Sequence, residues 1–416
     1  MLKAFVTDRL GVSTDVWLVL AAASMLVASQ ASLAQDPAVV DGLNDPARDP
    51  ARVQSAVDRG GAVVLRGTFD FGDIGSISIR RDVEILGEMS SGQVSTKIKG
   101  GNKWSFHSPL PGMLPPAEPG PSITIRGIHF DGASWTPIHI AYARRVVVAD
   151  NRITGVRPVP SPAPILGREG LFLQQGVSLG PALSFPGAYP AGSLTGEVRI
   201  ERNHVDLASG DPTRTMGQAI IMLWATGAKA SFVDNTAVNV SRNAIEALDN
   251  YPDGNGDGFV LIRGNDVTTP VDGLAFPSPS FPNGIVVGWL LDMTSSADPT
   301  RRMKYIVADN TIRTRGDSSM GIAVRADDAV VTSNTIIAEG KASRPLVLFG
   351  SGTAVIGNRI EGTGAAAVHF SARAKPLTGS RNLLIGNAIS SFRPVAGAAT
   401  QEEDGAQANL VLDASH

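Results

Sequence analysis

Apolar residues recur around asparagine in a fixed local pattern: an apolar position, two variable ones, Asn, one variable position, then Ile or Val. The pattern reads VVADNRI around Asn151, RIERNHV around Asn203, SFVDNTAV around Asn235 and LIRGNDV around Asn265. It continues as IVADNTI at Asn310, VVTSNTI at Asn334, AVIGNRI at Asn358 and LLIGNAI at Asn387. The residue three places before each Asn is apolar, and only Ala237 departs from Ile or Val two places after. Successive Asn residues lie 52, 32, 30, 45, 24, 24 and 29 residues apart. A minimum of 24 with irregular larger values describes a coil of fixed size carrying inserted loops. Such coils hold short strands that pair in parallel with the next coil, about 4.8 Å away. Asn suits the turn because it tolerates positive φ, and its amide can bond the turn backbone and the Asn of the next coil. The flanking Val and Ile point inward, where stacked β-branched side chains fill a core. The Asn column is therefore expected to be structural.

A second strand follows in each coil, as QAIIML (218–223), NAIEAL (243–248), NGIVVG (283–288), GIAVRA (321–326), RPLVLF (344–349) and AAVHFS (366–371). Period-two alternation places Ile220, Ile245, Ile285, Ile322, Leu346 and Val368 inside and the next residue outside. Segments 61–72, 77–87 and 123–133 read as more degenerate opening coils. Asp49-Pro50 followed by Ala51 to Arg59 predicts a short helix with Asp at the N-cap and Pro in the first turn. Its natural place is over the open end of the solenoid, whose strand edges invite aggregation.

The predicted fold is all-β, a right-handed parallel β-helix with a short N-terminal capping helix. It resembles the pectate-lyase-like superfamily over roughly residues 45–412, through Gly67-Thr68-Phe69 and the Asn-turn repeats. The resemblance implies a fold but not one function, because that superfamily includes lyases, hydrolases, epimerases, adhesins and phage proteins. Of the hydrolase motifs, Asp327-Asp328 could match a catalytic pair. Gly-His-Gly and Arg-Ile-Lys are absent, and Arg359-Ile360 is followed by Glu361. The Asp-Pro-His-Asp motif of mannuronan epimerases is absent as well. Family catalysis is therefore not carried over.

Residues 1–34 read as an export signal: Lys3 and Arg9 are balanced by Asp8 and Asp15, then Val16 to Ala28 is mostly apolar. That run is short for a bilayer span, and small residues at 32 and 34 place cleavage after Ala34. The domain reading is a signal peptide at 1–34, an N-terminal segment with the capping helix at 35–60, and the β-helix at 61–416. The mature protein is expected to have no membrane span, to be exported to the periplasm or beyond the cell, and to be a monomer. The chain of 416 residues has no Cys, which excludes disulfide scaffolds and Cys-ligated metals. With 36 basic and 39 acidic residues the net charge is −3, against a nucleic-acid partner.

Registering the second strands on one another singles out a column four residues after each inward Ile: Trp224, Asp249 and Trp289, with Tyr142 in the corresponding earlier place. Glu246 and Arg325 are outward neighbours. Aromatic rings stack on the apolar faces of sugars, and carboxylates and Arg bind hydroxyl or acid groups. The expected ligand is an extended polysaccharide in a groove on the outer face. Trp224, Trp289, Tyr142 and Arg325 would bind it, and Asp249 or Glu246 would serve as base for lyase or hydrolase chemistry. The competing reading is a non-catalytic cell-surface or matrix β-helix, an adhesin or structural protein, in which these residues are packing. Nearby, Asp253, Asn255 and Asp257 alternate with glycines in a way that suits Ca²⁺. The twelfth residue is Gly264, so this is no EF-hand, and a bidentate ligand would come from elsewhere, such as Asp249 or Asp266.

Overall fold

The computed structural model describes residues 36–110, 118–161, 169–180, 194–208, 210–223, 228–248, 258–273, 282–288, 303–363, 366–371, 378–390, 400–403, 406 and 408–412. Residues 1–34, read above as an export signal, lie outside them. From Ala38 onward the chain winds as a right-handed parallel β-helix with three sheets of 13, 11 and 12 strands. Each strand pairs with its equivalent one coil earlier and one coil later. Two short antiparallel pairings, Met89–Ser90 with Gln93–Val94 and Val159–Pro160 with Phe172–Leu173, stand outside this pattern. No helix among the described residues is long and apolar enough to cross a membrane.

The eight asparagines form one buried row at the corner between the first and second sheets. From Asn203 onward each Oδ1 accepts two bonds from the preceding Asn, one from its backbone N–H and one from its Nδ2, while Asn151 Oδ1 accepts the Ile128 N–H. At Asn203–Asn235 both are 3.0 Å, and at Asn334–Asn358 both are 2.9 Å. Each Nδ2 also donates to a carbonyl of the preceding coil, as Asn334 does to Val307. The left-handed backbone predicted for the Asn itself belongs instead to the residue before it. φ is 56° at Asp150, 52° at Arg202, 55° at Asp234 and Asp309, and 56° at Ser333, with Gly264, Gly357 and Gly386 at 63–68°. Turning the chain one residue early leaves the Asn in extended backbone, with its amide aimed along the solenoid axis. A second, shorter row at the opposite end of the first-sheet strands links Thr353, Asn382 and Asn409.

Ile220, Ile245, Ile285, Ile322, Leu346 and Val368 are fully buried in the core, as the alternation predicts. Burying each such side chain contributes about 1.5–3 kcal/mol. The alternation breaks one position earlier, where Ala219, Ala244, Gly284 and Gly321 also face inward. The Cβ direction of Gly284 runs into Ile312 Cγ2 at 2.5 Å, so only a very small residue fits there. Two consecutive inward residues make an arch in every third-sheet strand and set which side chains stand on its outer face.

The predicted helix is present as α1 (Asp49–Val57). Arg48, not Asp49, is its N-cap. Asp49 sits inside the first turn, fully buried, and accepts N–H groups of Leu43, Asp45 and Asp70 at 2.9–3.0 Å. Its carboxylate thereby ties the helix to the loop before it and to the first coil. The segment preceding α1 is part of the solenoid, because Ala38–Asp41 pairs with Val63–Arg66 in the first sheet.

Candidate functional site

Between every first-sheet strand from Ala143–Ala149 onward and the second-sheet strand that follows it lie two residues. Examples are Glu201 to His204, Arg263 to Asp266 and Ile356 to Arg359. The Asn row permits nothing longer. All length variation among these coils is therefore spent at the two corners that border the third sheet. The connections Leu179 to Leu194, Leu248 to Phe259 and Gly288 to Lys304 are long on one side, and Thr154 to Phe172 and Thr268 to Asn283 on the other. The third sheet is thus the one with inserted length at both of its corners in these coils.

That face carries two outward columns. The first contains Trp104, Thr136, Gln175, Gln218, Asn243 and Asn283. Gln175 joins it between Thr136 and Gln218 through the bond from Thr136 Oγ1 to Gln175 Oε1 at 3.1 Å. Gln175 Nε2 donates to Gln218 Oε1 at 2.9 Å, and Gln218 Nε2 donates to the Glu246 carboxylate. All four side chains of this chain are at most 5% exposed. The carboxylate only accepts here, so it fixes the Gln218 amide, which fixes Gln175 and makes Thr136 the donor. Asn283 Nδ2 continues the first column by donating to Asn243 Oδ1 at 2.8 Å. Desolvation pushes the Arg242 guanidinium below its ordinary pKa, and the attraction of Glu246 opposes that shift.

The second column runs His107, His139, Ser178, Ile221, Glu246, Val286, Ala323 and Val347. Polar residues dominate its first five positions, with Ile221 between Ser178 and Glu246; Val286, Ala323 and Val347 after them are as buried as core residues, and the column continues with the buried His369. At the polar end the Trp104 indole stacks on the His139 imidazole, with centroids 4.7 Å apart and planes 16° apart. Trp104 also meets His107 at 5.3 Å and Trp135 at 5.8 Å. Trp135 has φ 68°, a costly backbone for a bulky side chain, and its buried Nε1 has no hydrogen-bond partner. His139 Nδ1 lies 3.2 Å from Ser178 Oγ, and His107 Nδ1 lies 3.1 Å from Ser76 Oγ. Burial, then the neighbouring His107, pushes the His139 pKa down to about 3. His107 is lowered mainly by burial and then by Arg80, against a hydrogen bond that its ring donates to the Ile77 backbone. Both rings are thus held neutral, and a neutral imidazole stacked on an indole can donate and accept without charge.

Of the predicted residues, Trp224, Asp249 and Trp289 lie outside the described residues, as do the calcium-ligand candidates Asp253, Asn255 and Asp257. The strands that lead to them keep the expected register, with Ile220, Ile245 and Ile285 paired in succession. Glu246 stands on the third-sheet face, buried and held by Gln218. Tyr142 is half-buried with its hydroxyl donating to the Glu118 carbonyl, and burial raises its phenol pKa. Arg325 belongs to a different outward column, aligned with Gly288 and Leu248 rather than with Glu246, and its guanidinium covers the Phe349 ring at 5.7 Å. Alternation places the residues of these columns outside, yet most of them are buried, with Trp104, His107 and Arg325 half-buried. Among the described residues, no group of three His, Asp or Glu side chains could hold a metal ion. The Trp104 cluster was not expected, because its strand lies in a coil that lacks the Asn signature. The visible signal was His139 beside Trp135.

No family model matches the chain, and no curated protein matches it. Three solved structures share its course. DFA-IIIase from Arthrobacter chlorophenolicus A6 has 11% identity over 90% of this chain and 94% of that one, with a TM-score of 0.45. PfbA, a surface adhesin of Streptococcus pneumoniae, has 13% identity over 90% and 93%, with a TM-score of 0.44. The A-module of the mannuronan C-5 epimerase AlgE6 from Azotobacter vinelandii has 14% identity over 92% and 98%, with a TM-score of 0.41. These are likenesses of fold. The assignment as a parallel β-helix stands on the strand pairing itself.

Proposed function

We propose that this is an exported β-helix protein that binds an extended polysaccharide along the polar half of the third sheet's outer face. The observation that carries the reading is that, from the Ala143–Ala149 strand onward, inserted length falls only at the corners beside that face. There a hydrogen-bonded polar chain runs from Thr136, beside the Trp104 of a tryptophan–histidine stack, to Glu246. Loops that wall one side of a rigid solenoid build a groove. Trp104 offers an aromatic face to a sugar ring, Trp224 and Trp289 extend the platform in the coils beyond, and Tyr142 and Arg325 border it. Asp249 or Glu246 serves as the base in lyase or hydrolase chemistry, and Asp253, Asn255 and Asp257 are ligands for Ca²⁺. The test is a screen of neutral and acidic glycans for binding and for new reducing ends or unsaturated products, repeated with Asp249→Ala and Glu246→Gln. Loss of turnover with binding retained supports the assignment, and unchanged turnover in both variants removes it. A second reading, a non-catalytic surface or matrix protein, draws on the apolar half of the same face, where Val286, Ala323 and Val347 are sealed. Binding without turnover of any glycan selects it.

A further inference from the structure

The outer face of the second sheet takes no part in the site above. One outward position from each of four successive rungs there is occupied by Lys97, His129, Arg152 and His204, held in line by strand register. Adjacent rungs are about 4.8 Å apart. Unlike the third sheet, this face meets solvent: Arg152 is exposed and both histidines are half-buried. Among the described residues the Arg152 guanidinium has no carboxylate partner. The neighbouring outward column supplies the opposing charges. Asp131 pairs with Lys97 at 2.6 Å, and Asp206 accepts from Asn239 Nδ2 at 2.8 Å and from the Ala208 N–H at 3.1 Å.

The groups facing His129 are Lys97, Asp131, Arg152 and Thr154, whose Oγ1 is 2.9 Å from Nε2. Those facing His204 are Arg152, Asp206 and, one rung on, Thr236. Burial, then the flanking cations, lowers both imidazole pKa values, with Asp131 and Asp206 opposing. At neutral pH Lys97 and Arg152, with Lys99 of the neighbouring column, stand against Asp70, Asp131 and Asp206 of that column, a local balance. Acid adds two positive charges, while the Lys97 hydrogen bond holds Asp131 below the usual carboxyl range and keeps it ionised.

We infer that Lys97, His129, Arg152 and His204 form a second binding track, for a polyanionic glycan with one carboxylate per sugar, lying along the solenoid axis and gripped more tightly in acid. Charge complementarity and repeat length argue for this partner. A uronan presents one charge per sugar at about the rung spacing, whereas duplex nucleic acid presents phosphates about every 3.4 Å along each strand. A carboxylate bound between Arg152 and a histidine raises that histidine's pKa, so binding takes up protons. Affinity then rises as pH falls below neutrality and levels off once the free histidines are protonated.

This track is independent of the third-sheet site, so either can fail alone. The test is calorimetric titration of the full chain with polygalacturonate oligomers at low salt, at about pH 7.5 and about pH 5, where the ligand's carboxylates remain ionised. Binding is expected to be about tenfold tighter at the lower pH, the equivalent of one pKa unit of linkage. The double variant His129→Gln/His204→Gln should erase the difference while keeping the wild-type melting temperature. Arg152→Gln should weaken binding at both pH values. Absence of binding, pH-independent binding, or tightening that survives in the double variant overturns the inference. Equal affinity for duplex DNA or for phosphatidylserine vesicles overturns the glycan assignment.

Discussion

Replacing Asn265 by alanine tests how the solenoid is held together. The side chain is 1% exposed and makes four bonds to its ladder neighbours and the coil before. Its Oδ1 accepts the Asn235 backbone N–H and Nδ2, both at 2.9 Å. Its Nδ2 donates to Phe232 O at 2.9 Å and to Asn310 Oδ1 at 2.8 Å. After truncation Asn235 Nδ2 keeps Ile200 O, and Asn310 Oδ1 keeps the Asn265 N–H, so those groups are only weakened. The Asn235 N–H loses its acceptor in a site closed to water. One orphaned buried donor costs about 1–3 kcal/mol, and three lost neutral bonds about 1 kcal/mol each, for a total of about 4–6 kcal/mol. Because each coil touches only its neighbours, the damage should be local. Urea unfolding measures the total, and hydrogen exchange read residue by residue locates it, with the Asn235 amide the most affected. A loss below about 1 kcal/mol, or protection falling evenly along the chain, would refute the reasoning.

Two further outcomes follow from individual sites. His139 has a folded pKa near 3 against an ordinary 6.5, so the folded state resists its protonation. Its contribution is intact above pH 6.5 and is lost as pH falls from there toward 3, by about 2 kcal/mol at about pH 5. Denaturant midpoints measured across that range should fall less steeply in His139→Gln. At Asp309, where φ is 55°, Asp309→Val should cost about 1–2 kcal/mol and Asp309→Gly a few tenths at most, checked by thermal unfolding.

The fold was legible because its main cohesive device is also its loudest sequence signal. An amide bonded to the coils on either side of its own can hardly be replaced, so Asn persists in eight coils. The residue that actually turns the chain was overlooked, although Asp, Gly, Ser and Arg before each Asn are the trace of it. The arch in the third sheet was written in the small residues Ala219, Ala244, Gly284 and Gly321. Strict alternation concealed it, and with it the burial of the outward face. The site was less legible, since a ladder such as Thr136–Gln175–Gln218–Glu246 joins residues 28 to 43 positions apart through loops of unequal length. No local pattern reports such contacts, and Trp104 meets His139 only because strand register aligns them. The helix was found, but its first carboxylate was given the wrong partner. A buried Asp bonding to two loop amides before it and one strand amide after it has the same local spelling as one capping forward.

The unvarying two-residue corner makes whole windings interchangeable. Asn310 and Asn334 are 24 residues apart and occupy equivalent places, so excising 310–333 would bring Asp309 directly onto Asn334 with the same bend and the same amide contact. The length of the rod is therefore a quantity that duplication or deletion can adjust in whole units, leaving intact whatever chemistry stands on the remaining windings.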